Sequence, residues 1–190
     1  MCNNRRMLSS RKHLRLPGYD YAQSGFYFVT VCSENKKHIF GNIINFVGVG
    51  RDRPAPNTLP QMKLNRAGII IEEVWKSLPD HHSVRLDEFQ VMPNHIHGII
   101  QIIHPMARNT SRDILGASRR APTKLGVIVG LFKSECTKQI RIATGLPTMT
   151  IWQRNYYEHI IRNEKDYLRI KKYIRENPMI WEKDEDYTMP

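Results

Sequence analysis

Val91-Met92-Pro93-Asn94-His95-Ile96-His97-Gly98-Ile99-Ile100 is the stretch on which the fold turns. Pro93-Asn94 forms a tight turn between two apolar, β-branched runs, residues 84–92 and 95–103. Strand, short turn and strand predict an antiparallel hairpin. On a strand, residues two apart share a face, so His95 and His97 stand side by side. Ile96, Ile100 and Ile102 point the other way and can anchor the strand in a core. Paired imidazoles suit a divalent metal with several positions left open. They are equally two polar residues at the start of a strand, and the spacing alone leaves both readings open.

Upstream, Gly25-Phe26-Tyr27-Phe28-Val29-Thr30-Val31-Cys32 has the aromatic and β-branched content of a buried strand. A weaker strand is expected within residues 38–49. Residues 50–62, with prolines and charges at their start, read as a flexible loop. Asn65 then looks like a helix cap, because Ala67, Ile70, Ile71, Val74, Trp75 and Leu78 recur at helical spacing behind it. Pro79 follows the end of that stripe.

Downstream of the hairpin, residues 104–124 mix turn formers with Arg108, Arg112, Arg119 and Arg120 and predict a flexible basic loop. A helix is expected from Leu125, with Ile128, Phe132, Cys136, Ile140 and Ala143 as its apolar stripe and Gly145 and Pro147 as its stop. A short strand over residues 150–153 and a last helix from Asn163 to just before Pro178 complete the chain. The order predicts a single α+β domain over residues 1–190, a ferredoxin-like antiparallel sheet with helices on one face.

Composition narrows the function. Lys plus Arg number 29 against 18 for Asp plus Glu, a formal charge of +11 that favours a polyanionic partner. The first 18 residues carry Arg5, Arg6, Arg11, Lys12 and Arg15 and read as a basic arm. That start lacks an apolar signal core, and no apolar run approaches the roughly 20 residues that span a bilayer. A cytoplasmic protein without membrane contact is expected. Cys2, Cys32 and Cys136 are widely spaced and odd in number, which argues against a disulfide framework or a cysteine zinc site.

On the last helix Tyr173 and Asn177 are four residues apart and share a face. Tyr173 lies at the edge of the stripe made by Tyr167, Ile170 and Ile174, reachable from a neighbouring cleft. Asn177 offers an amide oxygen as a third metal ligand. An ordinary boundary tyrosine with its hydroxyl in water fits the same spacing.

His95-Ile96-His97 after Met-Pro-Asn resembles the HUH motif of insertion-sequence transposases. Trp152-Gln153-Arg154-Asn155-Tyr156-Tyr157-Glu158-His159-Ile160-Ile161-Arg162-Asn163 and Tyr173-Ile174-Arg175-Glu176-Asn177-Pro178, with Trp181 after it, resemble motifs of the REP-associated tyrosine transposases. Arg15-Leu16-Pro17-Gly18-Tyr19-Asp20-Tyr21 and Tyr27-Phe28-Val29-Thr30 are similar to that group too. The resemblance implies a ferredoxin-like fold whose C-terminal helix carries Tyr173 as nucleophile. It implies that His95, His97 and Asn177 hold Mg²⁺ or Mn²⁺, and that single-stranded or hairpin DNA is cut and rejoined through a 5′-phosphotyrosine. Arg5, Arg6, Arg11, Lys12, Arg15, Arg108, Arg119, Arg120, Lys133 and Arg154 are the expected DNA contacts, in a monomer or homodimer. Arg141 can also follow the backbone, and Tyr156 or Trp152 can stack on bases, although a core place suits Trp152 better. Two rival readings are a catalytically silent nucleic-acid-binding regulator on the same fold and a metal-dependent hydrolase that uses an activated water.

Overall fold

The computed structural model describes residues 23–45, 59–103, 124–184 and 186–187. In chain order these form β1 (Gly25–Cys32), β2 (Gly41–Asn45), β3 (Pro60–Leu64), α1 (Arg66–Lys76), α2 (Leu78–His81), β4 (Val84–Val91), β5 (His95–Ile102), α3 (Lys124–Thr144), β6 (Tyr157–Ile161) and α4 (Glu164–Glu176). A 3-10 segment, Asn177–Lys183, follows α4 directly. The basic arm of residues 1–18, with Arg5, Arg6, Arg11, Lys12 and Arg15, lies outside the described residues. So do residues 50–58 and Arg108, Arg119 and Arg120.

The expected hairpin is β4–β5. Val91 pairs with Ile96, and the Met92 N–H donates to the His95 carbonyl at 2.8 Å, closing the turn over Pro93-Asn94. The main sheet has the order β4-β5-β1-β6 with every neighbouring pair antiparallel. With α1 between β1 and β4, and α3 between β5 and β6, this is the ferredoxin-like arrangement.

Two strands differ from expectation. The fourth strand of the sheet is β6, not residues 150–153, which contribute only a Ser33–Trp152 bridge. Tyr157-Glu158-His159-Ile160-Ile161 hides its strand character because an edge strand with a cleft on one side needs no clean apolar alternation. Residues 60–62, expected as the end of a loop, belong to β3, which pairs with β2. Here Gln61 and Lys63 are exposed while Met62 and Leu64 pack against the core, a period-two pattern that the opening proline masked.

Alternation sorts each strand of the main sheet between two faces. Tyr27, Val29 and Val31 of β1 and Ile96, Ile100 and Ile102 of β5 meet α1 and α3 in the principal core. The stripe predicted for α1 is buried in full, and the Asn65 side chain accepts from the Gly68 N–H at 3.1 Å as cap. On α3, Leu125, Ile128, Phe132, Cys136 and Ile140 are buried. Ala143, expected in that stripe, is exposed with Ile142 and Thr144 beside it, so packing stops at Ile140. Gly98 allows a close approach in this core. A Cβ there would lie 2.4 Å from the Trp75 ring, which stacks on Phe89 with centroids 4.5 Å apart.

The expected layer on one face is thus formed by α1 and α3, and α4 lies across the other. Asn163 caps it, accepting from the Asp166 N–H at 2.9 Å. Ile170 and Ile174 bury against Phe28, Ile99 and Ile161, each such side chain contributing about 1.5–3 kcal/mol. A register shift between Leu86 and Phe89 in β4 adds a second hold. Lys171 meets Asp87 at 2.7 Å, Arg175 meets Glu88 at 2.8 Å, and the Tyr167 hydroxyl donates to Asp87.

Candidate functional site

His95 and His97 point from β5 into the α4 face, both almost fully buried, with their Nε2 atoms 2.9 Å apart. Their surroundings choose the tautomers. The Asn94 amide nitrogen donates to the carbonyls of Lys36 at 3.1 Å and Asp186 at 2.8 Å, so its oxygen faces His95 Nδ1 at 2.8 Å. Nδ1 of His95 therefore carries the proton and Nε2 keeps its lone pair. His97 Nδ1 lies 2.9 Å from Oγ1 of Thr30, its cross-strand partner on β1, which can accept the proton in the same way. Hydrogen bonds behind the ring are how ligating histidines are usually fixed. Burial, and then the neighbouring His97, hold His95 well below its ordinary 6.5, so the imidazole is neutral at neutral pH. Two lone pairs aimed at one point repel unless a cation or a proton lies between them.

The third member of the cluster is Asp184, which sequence reasoning missed. Ligand atoms of His95, His97 and Asp184 lie within 4.8 Å of one another, and all three residues are buried. Asp184 comes from the turn after the 3-10 segment, and Trp181 draws that segment inward. Its ring packs on His38, His95 and Tyr187 at centroid distances of 5.6, 5.7 and 5.2 Å. Burial alone would raise the Asp184 carboxyl. The nearby His97, the Asn177 amide, the Asp186 N–H and the Tyr173 hydroxyl outweigh it and hold the group well below the usual carboxylate range. The only signal in sequence was Trp181, an apolar anchor immediately before the charged run Glu182-Lys183-Asp184-Glu185-Asp186. Asn177 is fully buried beside this carboxylate. Its amide nitrogen donates to Asp184, and its Oδ1 has no hydrogen-bond partner.

Tyr173 reaches the same point. Its hydroxyl donates to Asp184 Oδ2 at 2.8 Å and lies 3.3 Å from His97 Nε2, in one and the same chain. The residue is half-buried, at the boundary position that its helical spacing predicts beside buried Ile170 and Ile174. It opens into a cleft of about 680 Å³ whose walls include Thr30, His97, Tyr156, Tyr157 and His159. His159 pairs with Asp166 at 2.6 Å, and Arg169 holds the same carboxylate at 2.5 Å. Glu158 alternates to the opposite face of β6 and is buried there, so the two neighbours occupy different environments. Cys32 also lines the cleft. Burial and then Asp186 push its thiol up to about 12, which leaves it protonated at neutral pH.

Three cations expected to follow DNA, Lys133, Arg141 and Arg154, fall among the described residues. Lys133 is partly enclosed and donates to the carbonyls of Gln153 at 2.5 Å and Arg154 at 3.1 Å, so part of its donor capacity fixes the chain. Arg154 is exposed. Trp152 is buried against Phe40 and Phe132 and belongs to the core, whereas Tyr156 lines the cleft. Among the described residues no helix is long and apolar enough to cross a membrane.

No family model matches the chain. An uncharacterized protein of Haemophilus influenzae is 40% identical over 184 residues, covering 94% of this chain and 93% of that protein. Among solved structures, a REP-associated tyrosine transposase bound to a REP hairpin superimposes with a TM-score of 0.50 at 21% identity, covering 86% of this chain and 72% of that one. A candidate transposase from Deinococcus radiodurans R1 gives a TM-score of 0.44 at 11% identity, over 85% and 96% of the two chains. The chain belongs to one family with the Haemophilus protein and has the fold of a REP-associated tyrosine transposase.

Proposed function

We propose that this protein is a metal-dependent DNA transposase of the REP-associated tyrosine group, which cuts and rejoins single-stranded DNA beside a hairpin through a covalent bond to Tyr173. One observation carries the reading: the Tyr173 hydroxyl meets His97 and Asp184 at 3.3 and 2.8 Å, in the cluster that also holds His95.

The donor set fits a divalent cation. His95 and His97 offer lone pairs already turned inward, Asp184 offers a charged oxygen, and the orphaned Oδ1 of Asn177 is a further acceptor beside them. Imidazole with carboxylate suits Mn²⁺, and Mg²⁺ prefers oxygen donors. Bound there, the ion would neutralise charge on the phosphate oxygens and orient the phosphorus for in-line attack.

The chain's own groups do the rest. A phenol with an ordinary pKa near 10 is a weak nucleophile at neutral pH, so its placement matters. Asp184 accepts the Tyr173 hydrogen bond and fixes where the oxygen's lone pairs point. Too acidic to keep the proton, it acts as an orienting acceptor. Attack by the Tyr173 oxygen forms the O–P bond as the P–O3′ bond breaks, leaving a 5′-phosphotyrosine and a 3′-hydroxyl. A second 3′-hydroxyl reverses the step onto another strand without ATP, because the ester is conserved. Tyrosine and histidines come from one chain, which supports action in cis. The structure of similar fold holds a REP hairpin, which supports a hairpin as substrate.

The test is a labelled single-stranded hairpin oligonucleotide incubated with protein and Mn²⁺, then run on a denaturing gel. A covalent adduct that disappears in Tyr173→Phe and on chelation is expected. Cutting that survives Tyr173→Phe would indicate the water-using hydrolase instead, and binding without any cutting would indicate the silent regulator.

A further inference from the structure

A second basic surface adjoins the catalytic cleft. Between α3 and residues 150–154 runs an open groove of about 470 Å³, with Lys133, Lys138, Arg141 and Arg154 among its lining residues and no carboxylate. Two of its cations are held in place. Lys133 is pinned to the carbonyls of Gln153 and Arg154, and the Arg141 Nε donates to the Met149 carbonyl at 2.9 Å. Neither has a carboxylate partner among the described residues, and each keeps further N–H donors. Lys138 has Glu135 at 3.8 Å, an exposed and weak pair. Burial lowers the Lys133 pKa, opposed by the Cys32 thiol and by no carboxylate. An enclosed ammonium without a counter-charge is costly, and an anionic ligand offsets that cost.

The groove also has a direction. Gln153 lines both it and the cleft that contains Tyr173, so a strand leaving the cleft past Gln153 comes next to Arg154 and α3. We propose that this groove takes the sugar-phosphate backbone of the DNA strand that continues out of the catalytic cleft, with Lys133, Lys138, Arg141 and Arg154 neutralising its phosphates. This rests on the DNA-processing function above and adds where the strand goes beyond the reacting phosphate.

Gly130 supplies a clean test. It lies in the groove wall on α3, and a Cβ added there meets nothing within 4 Å. Gly130→Glu places a carboxylate in the groove without a clash, and glutamate is a better helix former than glycine. Gly130→Gln is the uncharged control. Two DNA probes are needed: a single strand of about 5 nucleotides, enough for the cleft alone, and a hairpin with about 16 unpaired nucleotides. Gly130→Glu is expected to weaken binding of the long probe about tenfold or more and to flatten its log K against log salt slope by about 1. Short-probe binding and trapping on Tyr173 stay as in the wild type, and Gly130→Gln stays within about twofold on both. Arg154→Gln, at an exposed position, gives a second reading, a loss of about threefold on the long probe only. Unchanged long-probe affinity and salt slope in Gly130→Glu would overturn the groove while leaving the Tyr173 chemistry intact. Loss on both probes would overturn it too, because the effect would not be local. A wild-type protein that neither binds nor traps either probe would sink the catalytic reading and the groove together.

Discussion

The two faces of the main sheet are made by alternate residues of the same strands, yet they are built to different standards. On one, Tyr27, Val29, Val31, Ile96 and Ile100 close against α1 and α3 in a largely apolar core, Glu158 being its buried carboxylate. On the other, the interleaved Phe28, Thr30, His95, His97 and Ile99 receive only α4. That helix covers the Phe28–Ile99–Ile161 end with Ile170 and Ile174, and the histidine end is left to a cleft and the segment around Trp181. A strand's period of two lets one sequence serve both ends. The apolar face supplies most of the stability, and the other can then bury imidazoles, a carboxylate and an amide that would weaken a core asked to hold the fold alone. The division implies that substitutions on the two faces fail differently.

The sharpest break comes from Tyr173→Phe. It removes one hydroxyl and should abolish the covalent DNA adduct, a fall of at least about 1000-fold, while folding stability falls by no more than about 3 kcal/mol, the range for a hydrogen bond to a charged group. A variant that lost its adduct by unfolding would erase the distinction between the faces. Phe132→Ala on α3 should do the reverse. Phe132 packs edge-on to Trp75 at 5.5 Å and is 2% exposed, so its truncation should cost about 3–5 kcal/mol in chemical denaturation. The fraction that remains folded should still bind Mn²⁺ and form the adduct at the wild-type rate. A small loss of stability with a large loss of rate would show that the faces are not independent.

How much was legible in sequence follows the same division. The α1 face was readable almost residue by residue, because helical spacing of Ala67, Ile70, Ile71, Val74 and Trp75 behind Asn65 needs only local physics. His95 and His97 were placed on one face by strand periodicity, and the boundary place of Tyr173 by helical periodicity. That the three converge, with α4 crossing the sheet on the side opposite α1 and α3, depends on tertiary packing that no local pattern encodes. Asp184 was invisible for a related reason. It sits in a charged run that reads as a solvated tail, and only Trp181, anchored on His38 and His95, brings it inward. β6 escaped because Glu158 faces the core and His159 the cleft, which inverts the usual apolar-in, polar-out signal of a strand. The basic arm and the loop arginines belong to the part of the reading that rests on charge alone.

Gly98 probes the boundary between the faces more gently. It lies on β5 between His97 and Ile99, and its missing side chain admits the Trp75 ring. Gly98→Ala should cost about 1–3 kcal/mol, since Trp75 must move against Phe89 and Phe132. It should leave Mn²⁺ affinity within about twofold, because the histidines point the other way. A large loss of metal affinity with little loss of stability would mean that the strand transmits packing on one face to chemistry on the other.

The smallest effect belongs to the charged hold on α4. Asp87 meets Lys171 and Tyr167 in the β4 register shift, and both partners are partly exposed, so the pair contributes about 1 kcal/mol or less. Burial alone would raise the Asp87 carboxyl, but Lys171 and then Tyr167 bring it below its ordinary 3.8. The native state thus binds that proton less readily than the unfolded chain, and the stabilisation is complete above about pH 4 and lost as pH falls through the lower native value. Asp87→Asn should accordingly be less stable than the wild type at neutral pH, with the gap closing in denaturant titrations as pH falls through the lowered native value. Asp87 acts on the helix that carries Tyr173, and its side chain bonds to Tyr167 and Lys171 rather than to His95, His97 or Asp184. On the proposed mechanism the variant should therefore also form adduct more slowly while binding Mn²⁺ as the wild type does. Restoring the pair with opposite signs, Asp87→Lys with Lys171→Asp, should recover part of the rate. A double variant no faster than Asp87→Asn would leave Ile170, Ile174 and the Arg175–Glu88 pair to position Tyr173, and the Asp87–Lys171 latch would have no part in the contrast between the faces.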